Sequence, residues 1–159
     1  MAESIKLKDN TYIDASGIYD SNLHKTQQEL NTAYCCDVYY SGTTGIQFTG
    51  AIKFNTIRKN IGNCYSTSTG AFTCPVNGIY IAVFQFYSGS TATNQRPSIM
   101  VNGSNWAMTD GAYGHSVVLI SYFTAGTKLT AGAYDSRFPI TTYGQVAHNG
   151  FMVTLLKEI

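Results

Sequence analysis

Side chains able to do acid–base, nucleophilic or metal chemistry are sparse in this chain of 159 residues. The three histidines, His24, His115 and His148, stand far apart, and no His-x-His pair exists to hold a transition metal. No Gly-x-Ser-x-Gly elbow, His-Glu-x-x-His run or phosphate-binding loop appears. A glycosidase needs two carboxylates facing one bond, and the pair on offer is Asp110 with Asp135. The same pair is the candidate for calcium, but a hard cation wants several oxygen ligands and no Asp-rich loop supplies them. The residues therefore predict a non-enzymatic protein with no cofactor and no metal.

Binding is better served. Three polar segments, 88–96, 109–114 and 135–145, separate apolar runs. If those runs are antiparallel strands, alternate loops share one end of the fold. The three segments then meet at the tip far from the N-terminus. The candidate ligand-binding residues there are Asn94, Arg96, Asp110, Tyr113, His115, Asp135, Arg137, Phe138 and Tyr143. Rings that cover the apolar face of a sugar, beside amides and charges that fix its orientation, suit a glycan or protein ligand. A mild basic patch, Lys53, Arg58, Lys59 and Asn60, lacks interleaved aromatics, and the net charge is +1, so nucleic acid is not expected. Trp106, the single tryptophan, fits core or interface better than a ligand platform.

The elements that must position these loops read as strands. Tyr65–Phe86 carries a turn at Ser66–Gly70, an alternating strand from Ala71, a proline at a strand end and the turn dipeptide Asn77-Gly78. Ile79–Tyr87 follows, with Tyr80, Ala82, Phe84 and Phe86 on one face and Ile79, Ile81, Val83 and Tyr87 on the other. Val117–Phe123 and Phe151–Leu156 are also apolar on both faces. Such strands need cover on both sides, and a neighbouring subunit supplies the second cover. Arg58–Asn63 reads as a loop, Asn102-Gly103 as a hairpin turn, and Gly50 as a break within Ile46–Phe54.

The central stretch also carries a family likeness. Tyr65, Thr69, Gly70, Phe72, Thr73, Cys74, Pro75, Val76, Gly78, Tyr80 and Phe84 resemble the signature of the complement C1q-type globular domain, which is related to tumour necrosis factor. Ala51–Asn55, Val101–Gly103, Ala125–Leu129 and Asn149–Met152 resemble flanking strands and turns of that family in the same order. The resemblance implies an all-β fold, a ten-stranded jelly-roll sandwich, spanning 33–159 as a head domain. It further implies a homotrimer with the two-faced strands near its axis. The expected interface residues are Tyr80, Phe84, Val118, Ile120, Phe151 and Leu155.

Composition agrees with subunit burial: 12% of residues are charged, against about 25% in ordinary domains. No apolar leader opens the sequence and no run is long enough to insert in a bilayer. With no route to an oxidising compartment, Cys35, Cys36, Cys64 and Cys74 are expected as thiols, with a Cys64–Cys74 bridge the alternative. Residues 1–32 form a separate anchor or neck: strand-like pieces over Ile5–Asn10 and Thr11–Ile18, then a short helix over Leu23–Ala33. The run LKDNTYIDASGIYDSNLHKTQQELN resembles N-terminal segments of phage tail and fibre proteins. The expected protein is thus a trimeric virion component made in the host cytoplasm, a bacteriophage tail, baseplate or fibre head. It would dock to other virion proteins through residues 1–32 and bind a host surface glycan or protein at its tip. The alternative is a capsid head-fibre or decoration protein.

Overall fold

The computed structural model describes residues 5–6, 11–14, 17–20, 34–42, 47–87, 95–110, 114–137, 140–141 and 149–159. The chain divides into two compact units at Ala33/Tyr34. In the first, β1 (Ile5–Lys6), β2 (Thr11–Asp14) and β3 (Gly17–Asp20) form an antiparallel meander. The helix expected over Leu23–Ala33 lies outside the described residues.

The second unit contains β4 (Cys35–Tyr39), β5 (Gln47–Phe48), β6 (Thr56–Ile61), β7 (Tyr65–Ser66), β8 (Ala71–Thr73) and β9 (Gly78–Phe86). It continues with β10 (Pro97–Val101), β11 (Ser104–Met108), β12 (His115–Phe123), β13 (Lys128–Ala133), β14 (Ile140–Thr141) and β15 (Gly150–Glu158). Two five-stranded antiparallel sheets result, ordered β12-β9-β15-β4-β6 and β11-β10-β13-β8-β7, with a small β14-β5 pair beside them. This is the all-β jelly-roll sandwich expected from the sequence.

Alternation sorts the side chains. Tyr80, Ala82, Phe84 and Phe86 of β9 are buried between the sheets, while Ile79, Ile81 and Val83 lie half-buried on the other face. Phe54 stands between Phe84 and Phe151, with ring centroids 6.0 Å from each. The buried phenol of Tyr80 donates to the Val76 carbonyl at 2.8 Å, and that of Tyr65 donates to the Phe54 carbonyl at 3.2 Å. Buried hydroxyls are thus paired, as a dry interior requires.

Two expectations need correction. Arg58–Asn63 is not a loop: β6 runs to Ile61 and pairs with β4. As an edge strand it tolerates Arg58 and Lys59, whose charges also protect the edge from unwanted pairing. Asn77-Gly78 does not make a positive-φ turn; the described left-handed non-glycine residues are Asn63 and Asn102. Gly78 is required instead by close approach, because a Cβ there would stand 2.5 Å from the Lys157 carbonyl on β15. Asn102-Gly103 does form the expected hairpin, with φ of 49° and 83°.

Candidate functional site: the tip loops and the outer sheet face

Register fixes which strand ends share one end of the sandwich. His115 pairs with Phe86, Gln85 pairs with Gly150, and Gly150 pairs with Tyr39. In the other sheet Pro97 pairs with Ala133 and Ser98 with Met108. The segments after β9, after β11 and after β13 therefore leave from one end of the sandwich. Cys35, paired with Thr154, lies at the opposite end.

At this tip Arg96 forms an ion pair with Asp110, joining the segments that bound β10 and β11. Arg137 grips Asp135 through Nη2 at 2.6 Å, Nε at 3.1 Å and its backbone N–H at 2.8 Å. That hydrogen bonding to Asp135, with its charge, raises the Arg137 pKa. Each candidate carboxylate thus faces a guanidinium. Among the described residues no three acidic, histidine or cysteine side chains could hold a metal ion.

Two buried amides secure the loop bases. Gln95 Oε1 accepts from the Thr141 N–H at 3.1 Å, and Asn149 Oδ1 accepts from the Tyr87 N–H at 3.2 Å. The Asn149 carbonyl also accepts from the Tyr40 N–H at 3.0 Å. Sequence reasoning missed both roles, since a lone amide in a polar loop looks like any solvated one. A shallow cleft of about 180 Å³ lies between the ends of β9 and β12, lined by Gln85, Phe86, Tyr87, Gly114, His115 and Ser116. Asn94, Tyr113, Phe138 and Tyr143 lie outside the described residues.

The outer face of the β12-β9-β15-β4-β6 sheet has a different chemistry. One cross-strand row runs Val118–Val83–Met152, and the next runs Ile120–Ile81–Thr154. Val118 and Ile120 are 52% and 58% exposed, and Tyr122 and Met152 are similarly open. Toward β6 the face turns polar. Asp37 pairs with Arg58 at 3.4 Å, and the guanidinium sits 4.5 Å from the centroid of the Tyr39 ring.

The sequence matches the C1q domain over residues 38–126, more than half of the chain. This chain belongs to the C1q domain family. Its fold is similar to the globular domain of zebrafish complement 1qA protein, with 19% identity and a TM-score of 0.52 over 79% of this chain and 98% of that one. It is also similar to Eiger TNF of S. frugiperda, with 8% identity and a TM-score of 0.59 over 80% of this chain and 95% of that one. At such identities these two likenesses concern the fold alone.

Within this C1q domain the expected interface residues separate into two groups. Val118 and Ile120 lie exposed on the outer face. Tyr80, Phe84 and Phe151 are fully buried inside the protomer, so these three are corrected to interior roles, while Leu155 is half-buried and packs against the core. The space between two sheets is about 10 Å deep and takes the aromatics. The smaller branched side chains are left for the outside.

The four cysteines of the C1q domain are buried thiols. Burial pushes both Cys36 and Cys74 up to about 12 from an ordinary 9.0. Tyr80 is likewise raised to about 12 by burial. Well below pH 9 these groups are neutral in the folded and unfolded chain alike. Between pH 9 and about 12 the unfolded chain releases protons that the fold retains, so stability falls as pH rises. Native protein at pH 8 should leave Cys36 and Cys74 unreacted with a thiol reagent, and urea should expose both. Rapid labelling of either in the folded state would contradict the burial.

Proposed function

We propose that this C1q domain is the non-enzymatic head of a homotrimer carried on a virus particle, in the first place a bacteriophage tail, baseplate or fibre. The observation that carries the reading is the apolar outer face of the β12-β9-β15 strands. An apolar surface of this breadth on a soluble protein is an interaction site, and two further copies of the same chain supply its cover. The virion assignment draws on the N-terminal run that resembles phage tail and fibre proteins. Residues 1–32 serve to attach the head to other virion proteins.

The tip loops are the receptor side, presenting Arg96, Asp110, His115, Asp135 and Arg137 to a host surface glycan or protein. Three equivalent tips act together, so weak individual sites gain avidity. A second reading, a capsid fibre or decoration protein without a receptor, draws on the pairing of Arg96 and Arg137 with aspartates of their own protomer. Binding of the full chain to host cells separates the two. With the double substitution Arg96→Ala plus Arg137→Ala, binding by the receptor head should fall at least tenfold with the solution mass unchanged. Wild-type protein that ignores host cells, but attaches to particles through residues 1–32, supports the second reading.

A further inference from the structure

Gly114 has no conformational reason to be a glycine. Its φ is not in the left-handed region, where the described glycines are Gly62, Gly70, Gly103 and Gly126. Crowding does not require it either. A Cβ at Gly114 would meet nothing closer than the Tyr87 ring, whose Cδ2 would stand at 3.4 Å, an ordinary contact. At Gly78, by contrast, a Cβ would stand 2.5 Å from a carbonyl. The missing side chain at 114 leaves the Tyr87 ring uncovered on the side of the cleft between the ends of β9 and β12.

That cleft has walls of two kinds. Half-buried Tyr87 forms the apolar one. Its backbone is fixed by the buried Asn149, whose Oδ1 accepts the Tyr87 N–H at 3.2 Å. Gln85 and Ser116 stand directly opposite each other across β9 and β12, both exposed, and His115 precedes Ser116 on the same strand. They bring an amide, a hydroxyl and an imidazole, groups that both donate and accept hydrogen bonds. Side chains held on paired strands are placed more precisely than side chains on loops. On the outer sheet face the apolar rows end at this point, where Val118–Val83–Met152 gives way to Ser116–Gln85–Gly150. A polar row at the margin of an apolar contact forms its solvent-accessible rim, so the subunit contact proposed above leaves the cleft open.

Size and charge narrow the ligand. The volume of about 180 Å³ is well below the roughly 300–1,000 Å³ of pockets that enclose a drug-sized molecule, and it suits a single six-membered ring. Among the described residues that line it, none is lysine, arginine or acidic. The tip guanidiniums of Arg96 and Arg137 are held by Asp110 and Asp135. A carboxylated sugar would therefore lose hydration here without a cation to meet it. We infer that this cleft binds one uncharged pyranose ring of a surface glycan. Its C–H groups pack on Tyr87, and its hydroxyls bond to Gln85, His115 and Ser116. The inference rests on the receptor reading given above and gives the glycan a class, neutral rather than acidic.

The test is saturation-transfer nuclear magnetic resonance on the full chain, with the methyl glycosides of glucose, galactose, mannose and N-acetylneuraminic acid as probes. The method detects the weak binding expected of a shallow, open cleft. At least one neutral glycoside should receive saturation, and the sialoside should not. Gly114→Val, which fills the cleft without left-handed strain, should cut the transfer several-fold with solution mass and urea midpoint unchanged. Gln85→Ala, at an exposed position, should weaken the same signal. Silent neutral glycosides, equal transfer to the sialoside, or a signal untouched by both substitutions overturns the cleft assignment. Binding of the wild type to host cells is measured alongside. Where cells are bound and the glycosides are silent, the sugar assignment falls alone and the receptor reading stands. Absent binding to host cells overturns the receptor reading and the inference with it.

Discussion

Ile120→Asp is expected to hold the chain as a folded protomer at concentrations where the wild type assembles, read by light scattering. Ile120 is 58% exposed in the protomer and faces away from the core, so the aspartate costs the fold little. In an assembled trimer the same carboxylate would be desolvated against apolar Ile81 and its neighbours. An unpaired buried charge costs several kcal/mol, and the three-fold arrangement repeats that cost at each contact. Each 1.4 kcal/mol is a factor of about ten in association, so the assembly midpoint should shift by more than ~1000-fold. Ile120→Val, which keeps the surface apolar, should leave the mass unchanged. An aspartate variant that stays trimeric at micromolar concentration would remove the outer face from the contact.

The two sides of β9 show what was legible in advance and what was not. The period of two alone separates Tyr80, Ala82, Phe84 and Phe86 from Ile79, Ile81 and Val83. Which set faced inward was not in the pattern, because both sets are apolar. The deciding term is volume. Phe72 and Phe151 come from other strands, and Phe54 from the connection between β5 and β6, to the same interior, and aromatic contacts of about 6 Å close it. A one-strand reading has no access to those partners, and so it does not say which side of β9 and β15 is the interior.

β6 is hidden in the sequence for the converse reason. Its run Thr-Ile-Arg-Lys-Asn-Ile carries little alternation, and it is a strand because β4 offers it an edge. Propensity here yields to tertiary pairing. The placing of the strand ends, by contrast, needs only the reversal of successive strands, and the register of β9, β10, β12, β13 and β15 sets the strand ends that flank the tip segments at one end of the sandwich. The bonds of Gln95 and Asn149 that brace those loops join residues 46 and 62 positions apart. Contacts of that range leave no local trace in the sequence.

Phe84→Ala should have the largest effect on stability, lowering it by about 3–5 kcal/mol. Phe84 is fully buried, packs against Phe54 at 6.0 Å and Phe86 at 5.9 Å, and pairs across β9 and β15 with Phe151. Truncation removes the transfer energy of the ring and leaves a cavity between two sheets whose hydrogen-bonded ladders resist collapse. A domain has only about 5–15 kcal/mol in total, so urea unfolding should shift to a much lower midpoint with its slope kept. Val83→Ala, one residue away on the outer face, should cost the isolated protomer less than about 1 kcal/mol. Its effect should appear in assembly. The contrast between adjacent positions is the decisive feature: side-chain direction along one strand divides folding from association. Equal losses of protomer stability at both sites would mean that the outer face is as essential to the fold as the core.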